Sequence, residues 1–175
     1  MPKCIWKPFF FVVLTALLSC FAEARPACAV LPKKGAIAVI VTGPAQYLQT
    51  ADAIISKGLI ARGYKIVDNA TLEKIKRDKA ARLALDGNVE AILRLSSQYK
   101  YSVLLKATIS DLRTVRDEFG FYKGTAILDV TAIASDASII FADSISKSKP
   151  GHTQQDVIRA SLELAANSAV EKMTD

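Results

Sequence analysis

Three consecutive stretches in the second half of the chain alternate apolar and polar side chains with a period of two. From Tyr101 to Val115, Val103, Leu105, Ala107 and Ile109 fall on one face, and Leu104, Lys106, Thr108 and Ser110 on the other. From Phe121 to Ala134, Leu128, Val130, Ala132 and Ala134 oppose Ile127, Asp129, Thr131 and Ile133. Ile139 to Ser146 forms the third stretch. Period-two patterning is that of a strand with two unlike faces. The links, Asp117–Gly120 and Ser135–Ser138, are too short for anything but antiparallel hairpins. A three-stranded meander is therefore expected.

The first half follows other rules. Ala36–Val41 is a short continuous apolar run rich in β-branched residues, as expected of a strand covered on both faces. Ala45 to Arg62 carries Leu48, Ala51, Ile55, Leu59 and Arg62 at the helical period, with Gly63 placed as a C-terminal cap. Tyr64–Val67 reads as a second strand, and Asp68-Asn69 as a turn and cap. Ala70 to Leu85 reads as one charged helix ended by Asp86-Gly87-Asn88, and Val89 to Ser97 as another. Lys147–His152 reads as a loop. Thr153 and Asp156 then resemble a capping box before a helix carrying Ile158, Leu162, Ala165, Ala169 and Met173. The first two strands are joined by a crossover and run parallel. The expected fold is α/β (α+β): a mixed five-stranded sheet, two parallel strands plus an antiparallel meander, covered by helices.

The first 24 residues stand apart. Lys3 and Lys7 precede the apolar run Phe9–Leu18, and Ala22-Glu23-Ala24 supplies small residues at a cleavage site, the layout of a secretory signal peptide. Fifteen uncharged residues between Lys7 and Glu23 are short of the roughly 18 needed to span a bilayer, so a retained anchor is disfavoured. Leu17-Leu18-Ser19-Cys20 resembles a lipobox, which would make Cys20 an acylated first residue instead. Cleavage after Ala24 gives a periplasmic protein, and cleavage before Cys20 a membrane-anchored lipoprotein. Residues 25–35, with Pro26, Pro32, Lys33 and Lys34, read as a tether, and 36–175 as one domain.

Removing 24 of 175 residues leaves 151, enough for one core. Loss of Lys3, Lys7 and Glu23 takes the net charge from +6 to +5. That charge is not the dense basic stripe of a nucleic-acid binder, and export makes nucleic acid an unexpected partner. Of three cysteines only Cys28 remains, which excludes an internal disulfide framework in the mature chain. Cys28 reads as a small apolar residue near the terminus, with an intermolecular disulfide or a nucleophile as the sharper alternatives.

No residue pattern carries catalysis. The single histidine, His152, has Pro150, Gly151, Thr153 and Gln154 for neighbours, none of which completes a triad or a zinc site. Thr42-Gly43-Pro44 lies between strand and helix but lacks the spacing of phosphate-binding loops. Asp117-Glu118 sits at a hairpin tip with nothing to shift its acidity. No catalytic, cofactor or metal residues are expected. Two surface features are candidate partner-binding sites. One is the basic helix carrying Lys74, Lys76, Arg77, Lys79 and Arg82, in which Lys74 and Arg77 are the chosen residues. The other is the hairpin Arg113–Lys123, where Phe119, Phe121 and Tyr122 sit among Arg113, Arg116 and Lys123; aromatic and arginine side chains are enriched in binding hot spots. Solvated helix face and plain cross-strand aromatic pairing are the respective alternatives.

Residues 36–172 resemble the domain shared by the curli-secretion lipoprotein, the lipoprotein activators of penicillin-binding proteins and the N-terminal domain of the Tol–Pal propeller protein. The likeness rests on Ile37–Ile40, on Leu59–Asp68, on Tyr101–Ala107, on Ala126–Ala134 with the turn at Ser135–Ser138, and on the helix from Gln155 to Met173. It implies a domain that binds and assembles rather than catalyses, and it carries over no catalytic residues. The long membrane-spanning hairpins of the secretion pore have no room in this chain. The expected function is a non-catalytic periplasmic domain that docks other cell-envelope components. A small-ligand or glycan-binding module is the alternative, with an enzyme third. An envelope protein is the expected partner, and membrane association is expected only through Cys20.

Overall fold

The computed structural model of the protein describes residues 31–174. The elements run β1 (Ala36–Thr42), α1 (Ala45–Ala61), β2 (Lys65–Ile66), α2 (Asn69–Arg77), α3 (Lys79–Leu85), α4 (Val89–Tyr99), β3 (Tyr101–Arg116), β4 (Tyr122–Ala134), β5 (Ile139–Gly151) and α5 (Gln154–Thr174). The five strands form one sheet in the order β2-β1-β3-β4-β5. β1 pairs in parallel with β2 and β3, while β3–β4 and β4–β5 are antiparallel. This is the mixed sheet expected from the sequence.

The order of the strands decides where the helices go. The chain steps one way across the sheet from β1 to β2 and the other way from β2 to β3. Right-handed crossovers in opposite directions place their helices on opposite faces. Accordingly α1 packs with Ile37 and Val39, whereas α2, α3 and α4 pack with Ala38 and Ile40. The apolar run in β1 is continuous because both of its faces are buried. α5 returns to the α1 side, where Leu162, Ala165, Ala166, Ala169 and Val170 meet Val103, Leu105, Leu128 and Val130. Among the described residues no helix covers the opposite face of β4 and β5 beyond the part that α2, α3 and α4 reach.

Two features pin α5 to the sheet. A Cβ on Gly124 would come within 2.5 Å of the Val157 backbone, so only glycine admits the helix this close. The buried Ser161 hydroxyl lies 2.9 Å from the Gly124 carbonyl and 2.7 Å from that of Val157. The Thr153–Asp156 pair is present as a side-chain hydrogen bond of 2.6 Å at the start of the helix.

Some elements differ from the sequence reading. The stretch 70–85 is two helices, because Asp78 takes an extended backbone conformation and its carboxylate accepts from the Ala80 N–H at 2.9 Å. An aspartate so placed starts a new helix rather than continuing the old one. Lys147–Gly151 is strand, paired with Tyr122–Ala126, and not loop. Tyr47 rather than Leu48 leads the buried stripe of α1. Within the stretch read as a tether, Leu31 is 1% exposed; its N–H donates to Met173 O, and its carbonyl accepts from the Tyr64 hydroxyl.

Candidate functional site

The uncovered sheet face begins at Lys106. Its ammonium donates to Leu85 O, the last carbonyl of α3, at 2.8 Å, a favourable place for a cation. Beyond that contact the helical layer ends. The face continues through Thr108, Ser110 and Asp111 of β3, Thr125, Ile127, Asp129 and Thr131 of β4, and Ala142, Ser144, Ser146 and Ser148 of β5, all exposed or half-buried. Hydroxyls bond across it: Thr42 to Thr108 at 3.0 Å, Thr125 to Ser148 at 2.8 Å, and Ser144 to Asp129 at 2.6 Å.

A β-bulge sets what the far end of this face presents. Ile109 pairs with Leu128, but Asp111 pairs with Ile127, so Ser110 is the extra residue. The bulge shifts the alternation by one residue, turning Leu112 to the helical side and Arg113 and Val115 to the bare side. Without it Arg113 would face α5.

The hairpin tip is built by Asp117. Its carboxylate accepts from the N–H groups of Phe119 (3.0 Å) and Phe121 (2.8 Å), and its own N–H donates to Phe121 O. This is an Asx-type turn, and it accounts for Asp117 structurally. Phe119 projects from the tip, 77% exposed. Phe121 packs against His152, with ring centroids 5.0 Å apart. The Arg116 guanidinium lies 5.6 Å from the centre of the Tyr122 ring, within the range of a cation–π contact. Arg113 pairs with Asp111.

The structure thus gathers Arg113, Arg116, Phe119, Phe121, Tyr122 and Lys123 at one end of the sheet, and spreads them over both of its faces. Lys74 and Arg77 lie elsewhere, exposed on α2, which packs against α3, α4 and β1. Their neighbour Lys76 is paired with Glu73 at 3.2 Å. The hairpin and the basic helix are two patches and not one site. Cys20 and Cys28 lie outside the described residues.

Two residues missing from the sequence reading join the hairpin end. Lys149 pairs with Gly124 and Lys147 with Ala126, both on the helical side of β5. Their signal was present in the alternation of Ser144, Ser146 and Ser148 against Ile145, Lys147 and Lys149. It was obscured because lysines stand where apolar residues would have marked the inner face.

The remaining candidate chemistry resolves into structure. Pro44 is the N-cap of α1, and a side chain on Gly43 (φ +141°) would meet Ile109 at 2.8 Å, so the Thr42-Gly43-Pro44 turn answers to packing. Among the described residues no hydrogen bond ties His152 to a carboxylate, and no three His, Cys, Asp or Glu side chains are grouped to hold a metal ion. Depressions of about 180 Å³ at Leu83, Asn88, Glu90 and Arg94, and of about 380 Å³ at Ile54, Lys57, Glu163 and Asn167, each hold only one acid and one base among their lining residues. No described helix is long and apolar enough to cross a membrane.

The sequence matches no family model and no curated protein sequence. The fold has solved counterparts. Lipoprotein GNA1162 from Neisseria meningitidis is similar with a TM-score of 0.55 at 14% identity, over 79% of this chain and 97% of that one. PelC from Paraburkholderia phytofirmans, a dodecamer, is similar with a TM-score of 0.53 at 10% identity, over 83% and 91%. Protein CT253 from Chlamydia trachomatis is similar with a TM-score of 0.52 at 14% identity, over 80% and 93%. The chain therefore has a fold that a bacterial lipoprotein adopts.

Proposed function

We propose that this is an exported, non-catalytic binding and assembly domain that docks other components of the bacterial cell envelope. The observation that carries this reading is the sheet face left bare beyond Lys106, continuous with a hairpin end bearing an exposed phenylalanine and several cations. A surface rich in hydroxyls that bond to one another across the strands, edged by aromatic and arginine residues, suits recognition of a large partner. The absence of catalysis is supported by Asp117, whose carboxylate is engaged in the turn. Envelope placement is supported by the lipoprotein fold, by the leader-like first 24 residues, and by the resemblance to the curli-secretion and penicillin-binding-protein activator lipoproteins. Assembly is supported by the dodecamer among the similar structures.

The test is site-specific photo-crosslinking in cells. A crosslinker at Ser146 on the bare face or at Phe119 is expected to give discrete adducts, and one at Lys57 on α1 none. Equal labelling from all three positions would refute the docking role. Mass spectrometry of the mature N-terminus distinguishes the anchored form (acyl-Cys20) from the periplasmic form (Arg25), and retained Met1 refutes cleavage at either place.

The rows of Ser and Thr also favour a second reading, a glycan-binding module. On that reading Thr125→Val with Ser148→Val abolishes retention on immobilised envelope polysaccharide and leaves protein adducts unchanged.

A further inference from the structure

The cations at the hairpin end do not form a patch on one side of the molecule. Lys123 and Arg113 face the bare side of the sheet, and Arg116 and Lys149 face the helical side. Phe119 stands at the apex between them. Among the described residues, none of Arg116, Lys123, Lys147 and Lys149 is paired with a carboxylate. The acids nearby are Asp111, which pairs with Arg113, Asp117, which is turned into the tip, the exposed Glu118, and Asp156, which accepts from the Thr153 hydroxyl at the start of α5.

A protein docking on a face meets one side of a sheet. A planar charged surface approached end-on meets both sides at once. An exposed aromatic ringed by basic residues is also the arrangement by which peripheral proteins bind lipid, the ring entering the headgroup layer and the cations meeting anionic headgroups. Antiparallel strands advance about 3.4 Å per residue. Arg116, Lys123 and Lys149 occupy successive rows below the turn, so they lie within roughly 15 Å of the apex on that rise and close to any surface Phe119 enters. The geometry of α5 adds a polarity. Its first turns pack at Gly124, near the hairpin, and its last at Leu31. Its 21 residues separate those two poles by about 30 Å.

We infer that the hairpin end is a membrane-surface contact in which Phe119 enters an anionic bilayer while Arg116, Lys123 and Lys149 engage its phosphate headgroups. This rests on the docking role proposed above and names the envelope component met by the hairpin as a lipid surface. It acts at the pole opposite the one where residues 1–30 join the fold.

The test is flotation of the exported protein carrying Cys20→Ser, isolated from expressing cells, with two kinds of vesicle. One contains 30% phosphatidylglycerol in phosphatidylcholine and the other phosphatidylcholine alone. The readout is the fraction floated with each kind of vesicle, compared between variants that share the same N-terminus. Stronger binding to the anionic vesicles is expected, and that binding is about tenfold weaker in Phe119→Ala because a mostly exposed ring no longer leaves water. It is about fivefold weaker for each of Arg116→Gln and Lys123→Gln, and absent in 1 M salt. These side chains lie outside the core, so unchanged thermal unfolding of each variant checks the fold. Equal binding to both vesicles, or no effect of Phe119→Ala, overturns the inference. So does binding to immobilised polyglutamate that requires Lys123 but not Phe119, which would assign the end to an acidic protein. Protein adducts from Ser146 without any lipid preference would sink the lipid assignment alone. Lipid preference without protein adducts would support the assignment and leave protein docking refuted.

Discussion

At the scale of single residues, several side chains that look chemical in the sequence turn out to hold backbone in place. Asp117 accepts two N–H groups at the hairpin tip, so Asp117→Ala should cost about 1 kcal/mol in urea unfolding, and should broaden the amide resonances of Phe119 and Phe121. Gly124 is silent in the sequence, yet a Cβ there would collide with the Val157 backbone. Gly124→Ala should therefore destabilise by about 1–3 kcal/mol, read by the same unfolding measurement. Tyr101 is buried against Ile92 O, and burial pushes its hydroxyl from the ordinary 10.0 up to about 12. The unfolded chain loses that proton near pH 10 while the folded one keeps it. Stability is thus intact below pH 10 and falls as the pH rises toward 12. The urea midpoint should drop over that interval, and Tyr101→Phe should remove most of the drop. None of these roles was legible from residue type alone, because each depends on a contact supplied by a distant part of the chain.

At the scale of elements, the strongest patterns were read correctly because one physical constraint acts along each. The continuous run in β1 and the alternation in β3 and β4 report two-sided and one-sided burial directly. Gly63 takes φ +84° after α1, with its N–H donating to Ile60 O, as its position implied. The failures come where local signals compete. Helix propensity runs unbroken through 70–85, but Asp78 caps α3 and also accepts bonds from Arg94 (3.5 Å) and Tyr99 (3.3 Å). Asp78→Ala should cost about 1–2 kcal/mol by denaturant unfolding, whereas Asp78→Asn should retain much of the cap. In β5 the proline and lysines of Lys147–Pro150 suggest a loop, yet β4 offers a full set of pairing partners there and the backbone follows them. Proline is tolerated because β5 is the edge strand.

At the scale of the whole molecule, the two faces of the sheet carry unequal cores. One holds α1 and α5, of 17 and 21 residues, against β1, β3, β4 and β5. The other holds three helices of 9, 7 and 11 residues, which reach only β1 and the nearer parts of β3 and β4, and four of the helices' own buried residues are alanines. Short helices covering part of a face should open at lower free energy than the long pair. Native-state hydrogen exchange should accordingly show α2–α4 amides exchanging before those of α1 and α5, with β1 and β3 slowest. Uniform protection across both layers would contradict the unequal-core account.

The sequence by itself determined the mixed sheet, the order of its elements and the hairpin carrying Arg113–Lys123, because burial periodicity and loop length are local properties of the chain. It did not determine which part of the sheet stays uncovered. That follows from β2 and β3 flanking β1 on opposite sides, which sends the helices to opposite faces and, among the described residues, leaves none for the outer side of β4 and β5. It also did not determine that Lys147 and Lys149 join the hairpin end, or that a one-residue bulge at Ser110 turns Arg113 to the bare face. Register and handedness are settled between segments far apart in sequence, so only the assembled sheet decides them.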